Sequence, residues 1–129
     1  MEPTEVARRF VELWYAPERE SELRELLAEC YVHHTPAGDL DTEQFLQQIT
    51  AVNDALSDVD YEVVHAVADG DLAAVYVTVE ATHAGGFFDI PATGKRVSTV
   101  GACFLRVADG RVAEDWDAWA LQSILFQLS

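Results

Sequence analysis

The chain has 129 residues, half of them hydrophobic, and its 23 Asp and Glu against eight Lys and Arg give a formal charge of -15. That length suits one domain, which can bury roughly two-thirds of its unfolded surface, and apolar residues spread along the whole chain exclude a disordered acidic tail. Too few basic side chains are present to neutralise a phosphate backbone, which argues against nucleic acid as a partner.

Among charged residues the near-absence of lysine, with Lys95 alone, matches the solvated acidic surface of a salt-adapted organism, where ions screen self-repulsion. No apolar run approaches the ~20 residues of a membrane helix. The start, Met1-Glu2-Pro3-Thr4-Glu5, has neither the basic segment nor the apolar stretch of a signal peptide, so a cytoplasmic protein without membrane contact is expected. Cys30 and Cys103 lie far apart and outside any C-x-x-C or Cys/His spacing, which predicts free thiols.

In chain order, Thr4 is placed to cap a first helix in which Val6, Phe10, Leu13 and Trp14 recur at helical spacing, ending near Pro17. A second helix is predicted over Arg19 to Cys30, with Leu23, Leu26 and Leu27 on one face. The segment Tyr31 to Pro36 is β-leaning. Asp41 followed by Gln44 has the form of a capping box, and Phe45, Leu46, Ile49, Val52 and Leu56 supply the stripe of a third helix.

From Val59 the period changes to two. Tyr61 to Val67 reads as a strand, Ala68-Asp69-Gly70-Asp71 as its turn, and Leu72 to His83 as a long strand with Val75, Val77, Val79, Ala81 and His83 on one face. A Gly/Pro-rich loop from Ala84 to Gly94 separates it from a strand over Arg96 to Val107. The turn Ala108-Asp109-Gly110 leads into a last strand, Arg111 to Trp119, and an apolar tail. Three helices in the N-terminal half followed by an antiparallel meander predict an α+β fold in which the sheet bends around the helices.

The last strand places Glu114 and Trp116 on one face and Asp115, Asp117 and Trp119 on the other. A carboxyl turned toward an apolar cavity has its pKa raised by desolvation, toward the range in which it can shuttle protons. Asp117 is therefore the leading candidate acid or base, with His83 as its partner on the apolar face of the long strand. Of the adjacent pair His33 and His34 only one can face inward, and His34, beside Thr35-Pro36, is the expected one. The histidines show no metal-binding spacing, so no metal site is indicated.

Trp14, Tyr15, Tyr31, Phe45, Phe87 and Phe88 are candidates to line a cavity for a flat, largely apolar ligand, with Cys103, Asp115 and Trp119 beside Asp117. The loop Gly85-Gly86-Phe87-Phe88-Asp89-Ile90-Pro91 suits either a lid or a dimer contact.

Several segments in combination resemble the SnoaL-like polyketide cyclase family of the nuclear transport factor 2-like superfamily. They are Tyr31-Val32-His33-His34-Thr35-Pro36, Thr82-His83-Ala84-Gly85-Gly86-Phe87, Ile90-Pro91-Ala92-Thr93-Gly94-Lys95-Arg96-Val97 and Asp109 to Asp117. The resemblance spans nearly the whole chain. It implies a cone of curved sheet closed by helices, a homodimer, and an intramolecular aldol closure without cofactor, with Asp117 at the position of the family's acid/base and His83 and His34 at positions that usually face the pocket. Gly101 and Cys103 stand where the family's cyclases usually carry polar helpers. A non-catalytic ligand-binding or dimerisation module of the same fold is the alternative expectation.

Overall fold

A computed structural model describes residues 1–87 and 89–129. Helix α1 covers Pro3–Trp14; a 3-10 turn at Pro17–Arg19 leads into α2, Glu20–Leu26. Strands β1, Leu27–Thr35, and β2, Gly38–Leu40, precede α3, Thr42–Ala55. The strands β3, Leu56–Asp69, β4, Leu72–His83, β5, Arg96–Ala108, and β6, Arg111–Trp119, follow, and α4, Leu121–Leu128, ends the chain. Among the described residues no helix is long and apolar enough to cross a membrane.

The six strands form one sheet in the order β2-β1-β6-β5-β4-β3. The β3–β6 meander is antiparallel, as alternation and turns predict, but β1 runs parallel to β6, so the curved sheet is mixed and unclosed. Alternation shows which residues share a face, but it does not show which strand lies alongside. Positive φ at Asp109 and Gly110 builds the tight β5–β6 turn.

Several boundaries differ from expectation. Helix α1 begins at Pro3, whose missing N–H costs nothing at the first helical position, and no side chain caps it. Helix α2 stops at Leu26, because Leu27 to Thr35 joins the sheet. The C-terminal tail is a helix. The capping box forms as read, with Asp41 accepting from the Gln44 N–H and the Gln44 side chain accepting from the Asp41 N–H.

The core lies between the inner sheet face and the helices: Val6, Phe10, Leu13 and Trp14 of α1 meet Val75, Val77, Val79, Cys103 and Leu105. A smaller apolar cluster sits at the far end, where Ile124 and Leu128 of α4 cover Val97 beside Leu56, Phe87 and Ile90. Gln127 ties α4 down by accepting from the Ser98 N–H and donating to the Ser98 carbonyl.

Candidate active site

Strand β6 brings the acids inward as its alternation requires. Leu105 faces Asp115 and Cys103 faces Asp117 across β5 and β6, and both members of the first pair are fully buried. On the other side, the parallel register sets His33 beside Asp115 and His34 beside Trp116. His33 is therefore the inward histidine, 1% exposed, and His34 is not. His34 instead stacks on the outer face against Trp116 at 4.9 Å and bridges Asp39 and Glu114, each at 2.8 Å. Period two held the answer: Tyr31 is an inward aromatic, and His33, two residues on, shares its face.

A carboxylate at 0% exposure requires partners, and Asp115 has three. Its Oδ1 accepts from the Tyr31 hydroxyl at 2.5 Å and from His33 Nδ1 at 3.0 Å, and the Cys103 thiol lies 3.7 Å from Oδ2. Breaking such a buried set by removing one member costs about 3–5 kcal/mol. Burial and the nearby carboxylate keep the Tyr31 phenol and the Cys103 thiol protonated, both well above their ordinary values. For His33 burial pulls the pKa down, but the hydrogen bond and charge of Asp115, with the charge of Asp117, outweigh it and leave it raised.

Asp117 is the exposed end of this chain of groups. Its side chain is 22% exposed, its Oδ1 lies 3.7 Å from His33 Nε2, and its Oδ2 accepts from the Trp119 indole N–H at 3.0 Å. Burial pushes its pKa up, and the opposing pull of His33 and Trp119 does not cancel that. Tyr15, at the end of α1, lies within its field: burial first, then the Asp117 charge, raise the phenol so that it remains a donor.

Aromatic rings pack around these groups. Phe45 of α3 lies 5.0 Å from the His33 ring and 5.2 Å from Tyr31; Trp14 lies 5.9 Å from Trp119, and Tyr61 5.3 Å from Tyr15. The buried Trp14 Nε1 has no hydrogen-bond partner among the described residues. Gly101 explains itself here, because a Cβ would fall 2.3 Å from Trp119 Cε3. The side-chain space at Gly101 belongs to Trp119, and Cys103 is a partner of Asp115.

Trp14, Tyr15, Tyr31, Phe45, Cys103, Asp115 and Trp119 thus gather around Asp117 and His33. His83 and Phe87 do not gather there. His83 lies on the expected face but eight residues beyond Val75, the residue level with Cys103 and Asp117, about 27 Å further along the strand. Its Nδ1 takes the Thr93 N–H at 3.2 Å and lies 2.9 Å from the Thr93 hydroxyl, holding the loop that follows β4. Phe87 packs on the far apolar cluster, and Phe88 lies outside the described residues.

A hollow of about 530 Å³ lies between two outward rows, Asp60, Glu80, Ser98 and Glu62, Thr78, Val100, and Asp117 does not line it. Arg106 and Arg96 are committed elsewhere, to Glu114 with Asp71 and to Asp60.

A curved mixed sheet with helices on one face and an inward carboxylate at the end of its last long strand defines a protein of the nuclear transport factor 2-like α+β fold. The chain belongs to the SnoaL-like polyketide cyclase family, whose profile matches residues 4–128. Among solved structures it is similar to AclR from Streptomyces galilaeus, which carries a hydroxylase label, with 28% identity, TM-score 0.89, and 98% and 95% of the two chains covered. It is similar to IdmH from Streptomyces antibioticus, which carries a polyketide cyclase label, at 27% identity and TM-score 0.87 over 99% of each chain. TsrD from Streptomyces laurentii gives 26% identity and TM-score 0.79, covering 97% and 96%. No curated protein matches.

Proposed function

We propose that the protein is a cofactor-independent cyclase or isomerase in which Asp117 is the general acid/base on an apolar, carbonyl-containing substrate. One observation supports this reading: a carboxylate at the end of a buried polar set, its side chain 22% exposed, its Oδ2 held by the Trp119 N–H, with burial pushing its pKa above the ordinary value. A base in that state is better matched to an acidic C–H than an exposed aspartate, and its proton can be returned within the same turnover.

In the proposed closure the Asp117 carboxylate removes a proton from a carbon next to a carbonyl. The enolate carbon attacks a second carbonyl of the same chain, forming one C–C bond, and the resulting alkoxide takes the proton back from Asp117. Atoms and charge balance without a co-reactant. The Tyr15 hydroxyl, kept protonated, is the donor for the developing oxyanion, and the aromatic walls hold the two reacting ends near each other.

The test is incubation with a panel of open-chain polyketone esters, following cyclised product of unchanged mass. Wild-type protein forms it and Asp117→Asn lowers the rate by at least ~10²-fold, the scale of a positioned acid/base. Undiminished turnover by a folded Asp117→Asn protein contradicts the assignment.

A further inference from the structure

We propose that Asp115 is a positioning residue that fixes His33 with Nδ1–H turned inward, so that Asp117 and His33 Nε2 act together on one electrically neutral ketone or 1,3-dicarbonyl: the carboxylate on its acidic C–H, and the Nε2–H of the protonated imidazole on the carbonyl oxygen beside it. This rests on the acid/base reading above and adds a second group and a substrate class to it.

Geometry assigns the two nitrogens different tasks. Nδ1 lies 3.0 Å from Asp115 Oδ1, within hydrogen-bond reach of an acceptor that carries no proton of its own to offer when ionised. Nε2 lies 3.7 Å from Asp117 Oδ1, too long for a hydrogen bond, so the Nε2–H that His33 carries when protonated is not consumed by Asp117 and remains for a third atom. A carbonyl oxygen placed there has its neighbouring carbon within reach of Asp117. Asp115 itself is committed within the protein: Tyr31 and His33 occupy its Oδ1 and the Cys103 thiol lies against its Oδ2. The Phe45 ring 5.0 Å from the imidazole holds the orientation.

The groups that bear on His33 come from every side of the packing. They are Asp115 and Asp117 on β6, Cys103 on β5, Tyr31 and the adjacent His34 on β1, and Tyr15 through Asp117. Among these described groups the two aspartates are the carboxyls, and a substrate bearing its own carboxylate would meet Asp117 head-on. A neutral carbonyl compound meets a donor and a base side by side.

The experiment is side-chain nitrogen NMR of His33 in the full chain across pH, in wild type and Asp115→Asn. The expected neutral form of the wild type keeps its proton on Nδ1, and Asp115→Asn lowers the His33 midpoint by about one pH unit or more. A wild-type neutral form with the proton on Nε2 overturns the proposal, even if the variant fails to fold. An unmoved midpoint in a folded Asp115→Asn protein overturns it as well. Turnover of Asp117→Asn is measured separately, so loss of the positioning role and loss of the acid/base reading give different results.

Discussion

Gly101 lies across from Trp119, and adding a single methyl there tests how the site is held. A Cβ at this position falls 2.3, 2.4 and 2.7 Å from Trp119 Cε3, Cδ2 and Cζ3, where ordinary contact begins at 3.4 Å. The indole in Gly101→Ala must therefore withdraw by about 1 Å, since the backbone around it is pinned by the β5–β6 ladder. Its N–H donates to Asp117 at 3.0 Å, and a displacement of that size breaks the bond.

Hydrogen bonds to charged groups contribute about 1.5–3 kcal/mol, and partial exposure of Asp117 reduces this, so the loss amounts to about one pH unit of upward shift at Asp117. Overpacking adds about 1–3 kcal/mol of lost stability. Carboxyl-carbon NMR titration of Asp117 and urea unfolding read the two effects separately. A destabilised Gly101→Ala protein with an unmoved Asp117 midpoint would refute the role given to the Trp119 N–H.

The raised pKa of His33 fixes a sign for stability against pH. The folded value lies above the unfolded 6.5, so its contribution is fully present below about 6.5 and is lost as pH rises through the folded value. His33→Gln should flatten that slope in urea unfolding at successive pH values, with high salt added to screen the same-signed contribution of the partly exposed His34; an unchanged slope contradicts the pairing. Gly85→Ala places a Cβ 2.2 Å from the Asp54 carbonyl oxygen, a backbone atom that cannot swing away, and should lower the thermal midpoint by several degrees.

Much of this was legible from alternation. Strands β4 and β6 begin and end where period two and the flanking turns put them, and the face shared by Asp115, Asp117 and Trp119 follows from parity once β6 is a strand. The Asp41–Gln44 box was legible because its partners are three residues apart. The partner of β1 was not, since the parallel contact joins residues some eighty positions apart and leaves no local mark. That contact is what delivers His33 to Asp115. His83 misled for a related reason: sharing a face with Val75 says nothing about how far along the strand a residue lies. Gly101 had no sequence signal for its role, because only the packed position of Trp119 shows what its missing side chain makes room for.

The most direct test of Asp117 as acid/base is the carboxyl-carbon NMR titration of the wild-type protein, which needs no substrate. A midpoint clearly above the ordinary aspartate value of about 3.9 that disappears from the spectrum in Asp117→Asn is the result this account predicts. A midpoint at or below that value would show a carboxylate stabilised as a fixed charge, and would contradict proton transfer by Asp117.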